Sequence, residues 1–390
     1  MAQSSIRPVP DRIAVVLTQV NIRRFVPGFV RYNRPNTTFW QLNSHQSVDE
    51  TVSLIRQWKP LGLIAECIPG ISDPLFELGL PTVAVQYNLP PGSPHSCCDV
   101  DDEAVGETAA KFFLGKRLRS FAFYGKNIQY SEQRLRGFLR GLAAENQKPE
   151  VLVEPFEGPE RYSEYWPAPG KPLLDWLRGL PKPVGILAAH DPMGRALIEA
   201  ARHAELDVPS EVAVLGVNDD PLVCPLSQPA LSSVRVPWTR LGSELMGLLE
   251  RRIAGEPPQS LLIEPGAVSE RLSTDILAVD DPLLRRALEA MRMGGAESLN
   301  IHELSKQIGC SRRHLERMFR EHLGRSPKEE LTRRRLSIAR DLLLNSNEKI
   351  AAISQICGWS NPQPFHVAFV AAEGVSPGVF RKQGGRLLRE

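Results

Sequence analysis

Two stretches near the C-terminal end of the chain, FREHLGRSP (Phe319–Pro327) and FVAAEGVSP (Phe369–Pro377), share one frame: Phe, four residues, Gly, one residue, Ser-Pro. The first is rich in charge and the second is nearly neutral. Working outward from the first copy, LNIHELSKQIGCSRRHLERMF (Leu299–Phe319) precedes it. Asn300 and Glu303 have the spacing of a capping box, which predicts a helix running to Ile308, and Gly309 allows a tight turn. Ser311 then caps a second helix. With Leu304, Ile308, Leu315, Met318 and Phe319 packed between the two and small Ser305 facing the turn, the pattern is a helix-turn-helix. That packing sends Arg312, Arg313, Glu316, Arg317 and Arg320 outward on one face. Such a face suits a major groove, where Arg reads guanine N7 and O6 and the remaining groups grip phosphates.

After the first copy, Ser326 and Pro327 read as the cap and first position of a long helix, with Glu329 and Glu330 at its positive end and Arg333 to Arg335 further along. About 18 helical residues give roughly 27 Å. Then the unit repeats as KIAAISQICGWSNPQPFHVAFVAAEG (Lys349–Gly374). Gly358 takes the place of Gly309, the turn is one residue longer, Asn361-Pro362 opens the helix, and Phe365, Ala368 and Phe369 replace Leu315, Met318 and Phe319. Two such units about one DNA turn apart would reach successive major grooves of double-stranded DNA. Before both lies DDPLLRRALEAMRMGG, with Asp281 as N-cap, Pro282 at the first helical position, and Leu284, Leu288 and Met291 as a buried stripe.

Charge supports this division. The chain carries a net +2, but residues 283–390 hold 19 Lys and Arg against 11 Asp and Glu, a net of +8, which leaves 28 against 34, or −6, for residues 1–282. A basic block on an acidic body is the electrostatic footprint of an appended nucleic-acid-binding domain.

The first 280 residues read differently. Apolar or β-branched runs at 13–17, 61–67, 82–87, 120–125, 151–155, 184–190, 212–217 and 232–236 alternate with helix-like segments at 100–116, 131–146, 191–205 and 240–255. Alternating strands and helices imply parallel sheets, and this many units implies two α/β lobes. Ligands of such sheets bind beyond the C-terminal strand ends. There the chain places Ser131 as a helix cap with Arg134 one turn on, Asp191 as an N-cap before Pro192, and Asn218, Asp219 and Asp220. An Asp before Pro is more often a helix cap than a ligand. Charged and amide groups at several strand ends nevertheless suit a polyhydroxylated molecule, which needs paired donors and acceptors. Arg24 after the first strand and Tyr130, which could stack on a sugar ring, are further candidates.

Other classes are disfavoured. The loops GxGxxG after a strand and GxxxxGK[ST] are absent, as are GxSxG and any nucleophile–base set, so catalytic residues and cofactors are expected to be none. The six cysteines lack metal-ligand spacing, so no metal site is expected and a reducing, cytoplasmic setting is. No apolar run approaches the roughly 20 residues of a membrane span.

The frames SxxRxxGF (Ser131, Arg134, Gly137, Phe138), VPSEVAVLGVNDDP (208–221), LSSVRVPWTRLG (231–242) and ERLST (270–274) resemble the effector-binding domain of lactose-repressor-type regulators, relatives of periplasmic sugar-binding proteins. The resemblance implies a periplasmic-binding-protein-like sensor of two lobes closing on a sugar. It also implies that Arg134, Asp191 and residues 218 and 219 contact hydroxyls. Where Asn218 stands that family usually has Asp. ISQICGWSN with PFHVAF, EGVSP and FRK (353–382) resembles the DNA-binding domain of arabinose-regulator-type transcription factors. By that likeness the base-reading positions are Arg313, Glu316 and Arg317 in the first unit and Pro362, Gln363 and Val367 in the second. The family often has Arg at the Val367 position, so the first unit is expected to supply most specificity and salt dependence, with Gln363 and His366 the polar contacts left to the second. The competing expectation is that the second recognition helix is buried against another domain or subunit.

The order, sensor over 11–277 and reader over 278–390 with helix-turn-helix units near 300–324 and 350–374, resembles xylose-operon-type regulators. It implies a homodimeric activator of pentose genes, with D-xylose or a similar sugar as effector, promoter half-sites as target and RNA polymerase as partner. A different sugar or effector, or a sugar-processing enzyme, is the alternative.

Overall fold

Runs such as IAVV, GLIAE and TVAV are apolar almost throughout because a parallel sheet covered by helices on both faces gives its strands no solvent side. The computed structural model describes residues 11–32, 37–41, 47–66, 72–85, 93–155, 170–276, 281–293, 300–346 and 348–387. In chain order the elements begin with β1 (Asp11–Val16), α1 (Gln19–Tyr32), β2 (Thr37–Gln41), α2 (Val48–Trp58), β3 (Gly62–Glu66), α3 (Asp73–Phe76), β4 (Thr82–Val85) and β5 (Ser96–Val100). They continue with α4 (Asp102–Gly115), β6 (Ser120–Lys126), α5 (Gln129–Ala143), β7 (Glu150–Glu154), α6 (Lys171–Gly179), β8 (Val184–Ala188), α7 (Asp191–His203) and β9 (Val212–Asn218). Next come β10 (Ser232–Arg235), α8 (Trp238–Ile253), β11 (Ser260–Ile263), β12 (Val268–Ser269) and a 3₁₀ turn at Leu272–Thr274.

The first sheet has the order β11-β5-β4-β3-β1-β2 and the second β12-β10-β9-β8-β6-β7. All neighbours are parallel except β10 and β12. Ile13, Ala14, Leu63, Ile64, Val83 and Ala84 form the fully buried heart of the first, and Ala122, Phe123, Ile186, Leu187, Val214 and Leu215 that of the second. Two compact units follow: one of the residues up to 105 with 128–137 and 236–266, the other of 106–127, 138–235 and the chain from 267 on. In each sheet the strand order reverses once, between β1 and β3 and between β6 and β8, and a reversal opens a crevice at the strand C-termini.

Among the described residues the second unit also holds seven C-terminal helices: α9 (Pro282–Met293), α10 (Ile301–Ile308), α11 (Arg312–Leu323), α12 (Pro327–Asn345), α13 (Ile350–Ile356), α14 (Pro362–Glu373) and α15 (Pro377–Leu387). The capping boxes at Asn300/Glu303 and Ser326/Glu329 form, and Ser311 and Asn361 cap α11 and α14. Gly309 and Gly358 take φ of +76° and +83°, which a Cβ would oppose, so the two turns are built alike. Helix α12 is the shared spine. Its Leu331 joins Leu284, Leu288, Leu304, Ile308, Leu315, Met318 and Phe319 in one core. Its Leu336, Ala339 and Leu343 join Ile353, Cys357, Phe365 and Phe369 in another.

Two helix starts differ from expectation. Helix α5 begins at Gln129, so Ser131 lies inside its first turn, buried, and is not the cap. Helix α7 is capped by His190, whose Nδ1 accepts from the Met193 amide at 3.3 Å, and Asp191 is the first helical residue. The expected boundary at 277/278 lies outside the described residues.

Polar groups also fasten α12. Glu330 is 1% exposed and accepts from Arg325 Nε at 2.6 Å and from Arg333 Nη2 at 2.9 Å, with Arg334 Nε at 3.3 Å. Arg333 and Arg334 in turn pair with Asp275, just past the 3₁₀ turn, at 3.2 and 3.3 Å. Burial alone would raise the Glu330 carboxyl; the hydrogen bond and charge of Arg333, with Arg325 and Arg334, outweigh it and hold the group at about 2. A carboxyl depressed in the folded state contributes stability that is complete above its unfolded value near 4.5 and is lost as pH falls through about 2. Glu330→Gln is therefore expected to destabilise α12 by about 3 kcal/mol at pH 7, read as roughly hundredfold faster exchange of its amides. The gap to wild type should close between pH 4.5 and 2. Equal exchange at pH 7 would contradict the assignment.

Candidate functional site

The second sheet brings Asp191, Asn218 and Asp219 together. Asp191 follows β8 at the strand reversal and is fully buried. Its Oδ1 accepts from Ser233 Oγ at 2.5 Å and its Oδ2 from the Asp220 amide at 2.7 Å, while Ser233 Oγ accepts from the Asp219 amide at 2.9 Å. A Cβ on Gly216 would sit 2.3 Å from Asp191 Oδ1, so the glycine in β9 is what makes room for the carboxylate. Asp191 thus braces the loop that follows β9. Asn218, the last residue of β9, and Asp219 just after it take φ of +114° and +54° in succession. Non-glycine residues there store strain of order 1–3 kcal/mol each, and such strain clusters at ligand clamps.

Sequence reasoning missed the partners of Asp219. Its Oδ2 accepts from Ser269 Oγ at 2.6 Å, and its Oδ1 pairs with Arg271 Nη2 at 2.8 Å. Burial opposes the Arg271 charge and Asp219 restores it, so that Arg271 ends above the usual arginine range. Arg271 lies in the ERLST frame, but no spacing rule connects it to a loop some 50 residues earlier. The segment after it is locked to β9 and β10: the Ser232 amide donates to Ser273 Oγ at 2.8 Å, Ser273 Oγ to the Val214 carbonyl at 2.6 Å, and Ser232 and Thr274 share a hydroxyl bond of 2.6 Å. Asp275, which holds α12, comes next.

In the first unit Arg134 is 4% exposed, its Nε donates to Asp102 at 2.7 Å, and its guanidinium lies 4.9 Å from the Tyr130 ring centre. Burial pushes the Asp102 carboxyl up and Arg134 pulls it back. Asp99 is raised well above its ordinary range by desolvation and then by Asp102. Ser131 is buried on the same helix turn. Arg24 on α1 donates to Asn21 at 3.2 Å and lies 5.0 Å from the Trp238 ring centre. Asn21 in turn donates to Glu66 at the C-terminal end of β3, where the first sheet reverses. Glu66 also accepts from the Thr18 amide at 2.7 Å, and burial raises its carboxyl. An acid closing an otherwise apolar strand was the available signal for Glu66. Carboxylate, amide, guanidinium and indole in one group are suited to a sugar's hydroxyls and its apolar face.

The helical region presents two unlike reading faces. On α11, Arg312, Arg313, Arg317 and Arg320 are exposed. Glu316 is half-buried and paired with Arg312 at 3.0 Å, and Arg317 Nη2 lies 3.2 Å from His314 Nδ1. On α14, Gln363 and His366 are exposed and Val367 is 63% exposed. Within the described chain this helix is therefore open on its outer side.

The periplasmic binding protein-like domain family matches residues 110–274, and the helix-turn-helix domain family matches residues 304–383. The xylose operon regulatory protein of Escherichia coli strain K12 is 29% identical over 377 residues, spanning 94% of this chain and 95% of that protein. The xylose operon regulatory protein of Haemophilus influenzae is 27% identical over 371 residues, spanning 92% and 94%. Among solved structures, that of the xylose-binding transcription activator xylR superposes with a TM-score of 0.68 at 26% identity, covering 95% of this chain and 97% of that one. No described helix is long and apolar enough to cross a membrane. The chain is a transcription regulator of xylose-operon-regulator-like build, a periplasmic binding protein-like domain followed by a helix-turn-helix domain.

Proposed function

We propose that the chain activates sugar catabolism genes in response to a pentose, D-xylose or a close relative, held by the N-terminal domain. The observation that carries this reading is the strained Asn218-Asp219 pair, braced by Asp191 and tied by Asp219 to Arg271, in a chain whose full-length relatives are xylose operon regulators. Asp191, Asn218 and Asp219 in the second unit, and Arg24, Tyr130, Ser131 and Arg134 in the first, are the sugar residues assigned here. Asn218, an amide where lactose-repressor-type sensors usually carry Asp, favours a second reading in which the effector is a different sugar of similar size.

Engagement of Asp219 by a sugar hydroxyl competes with its ion pair to Arg271. Four residues beyond Arg271, Asp275 holds Arg333 and Arg334 of α12. The route from sensor to reader in this reading is the segment 271–275, with the domain boundary just after it at 277/278. A homodimer placing paired reading helices on promoter half-sites, in contact with RNA polymerase, completes the reading.

Two measurements test it. Thermal unfolding with a panel of pentoses, hexoses, uronic acids and sugar phosphates is expected to show stabilisation by D-xylose, about 2.7 kcal/mol at 100 times the dissociation constant. Asp219→Ala should abolish the shift. A shift with another sugar alone replaces the effector, and silence across the panel from folded protein contradicts the sensor reading. On DNA, Arg317→Ala is expected to weaken binding by about 1–3 kcal/mol and to lower the salt dependence, while a Gln363→Ala, His366→Ala double variant leaves the salt slope unchanged. Equal losses in affinity and slope would contradict the division of labour between the two units.

A further inference from the structure

The outer face of α14 is uncharged and apolar, suited to contact with small apolar groups. The helix contains no Lys or Arg, and its single acid, Glu373, is drawn aside by Arg340 Nε at 2.6 Å. Its buried side is aromatic: Phe365 and Phe369 pack on each other with ring centres 5.6 Å apart, and Trp359 packs on Phe365 at 5.1 Å. What remains outside is a shallow concavity of about 480 Å³ lined by Asn361, Gln363, Pro364, Val367, Ala368 and Ala371. Val367 keeps 63% of its surface exposed at the centre of this face. Among the described residues, no charged one lines the concavity.

We propose that Val367, with Pro364 and Ala371, reads the 5-methyl groups of thymine in the major groove, making α14 a specificity-determining helix that works by apolar contact. This rests on the DNA-reading function proposed above. Helix α14 repeats α11 in its cap, preceding turn glycine and buried stripe, with Phe365 and Phe369 where α11 buries Leu315 and Phe319, so Gln363, His366 and Val367 stand where the first unit presents Arg313, Glu316 and Arg317. In the major groove the thymine methyl is the one apolar feature that a base pair offers, and small aliphatic side chains are its complement. Residues four apart on a helix are separated by about 6 Å along its axis, close to two base-pair steps. Positions 364, 367 and 371 span about 10 Å along the helix, about three base-pair steps, enough to meet the methyls of neighbouring thymines. With Glu373 paired to Arg340, the face carries no free carboxylate to repel the phosphates on either side of the groove.

The test uses full-length protein and a duplex selected by it from a random library. The selected segment beside the Arg317-protected bases is expected to be rich in A·T pairs. Replacing its thymines by deoxyuridine removes the methyls and keeps every hydrogen-bonding group. Wild-type protein is expected to bind the uracil duplex roughly fourfold more weakly for each methyl it contacts. Val367→Ser is expected to discriminate between the duplexes roughly fourfold less than wild type, the contacts of Pro364 and Ala371 remaining, whereas Arg317→Ala should weaken binding to both and keep the full wild-type discrimination. Equal wild-type affinity for the two duplexes would overturn the inference. So would a change of oligomeric state in Val367→Ser with methyl sensitivity intact, which would assign the face to a second copy of the chain. Selection of no duplex at all would remove the DNA-reading function itself.

Discussion

A buried carboxylate ties the reader to the sensor. Glu330, 1% exposed on α12, is surrounded by Arg325, Arg333 and Arg334, and two of those arginines also hold Asp275 at the end of the sensor's last segment. Removing one member of such a cluster leaves charge stranded away from water, at a cost of roughly 3–5 kcal/mol, so the cluster persists or breaks as a whole. Helix α12 is also the spine on which both helix-turn-helix units pack, Leu331 toward one and Leu336, Ala339 and Leu343 toward the other. Asp275 thus connects residues 271–275 directly to the helix on which both helix-turn-helix units pack. The repeat that organises the C-terminal region has a mechanical as well as a recognition consequence.

The asymmetry of the two units follows from how each outer face is charged. Helix α11 offers exposed guanidinium groups, whose attraction for a polyanion is long-range and salt-dependent. Helix α14 offers methyls, which act only at contact and are indifferent to salt. Arginine at such positions can read guanine or grip phosphate, whereas a neutral apolar face can respond only to what the base edges present.

The helical region was legible almost residue by residue, since caps, turn glycines and apolar spacing are local signals. Asn300 with Glu303, Ser311, Ser326 with Glu329, and Asn361 all cap where their types predict. In the α/β region the eight apolar runs are strands, but β2 (TTFWQ), β5 (SCCDV), β11 (SLLI) and the two-residue β12 carried no comparable run; three of them lie at sheet edges, where one neighbour is enough. By residue type Ser131 and Asp191 favour caps, and tertiary burial overrides both: one sits inside the helix, and the other yields the cap to His190. Arg271, Asp275 and Glu330 were invisible as a group because their partners are joined by folding across tens of residues. A buried ion cluster leaves no periodic trace in sequence.

The most direct test of the connection between sugar and DNA is the affinity for a selected duplex with and without saturating sugar, in wild type and in Asp275→Asn. The change keeps size and removes the charge that holds Arg333 and Arg334. The account predicts that sugar binding is retained, that sugar strengthens DNA binding by the wild-type protein, and that this strengthening is lost in the variant. An unchanged response of Asp275→Asn to sugar would contradict it.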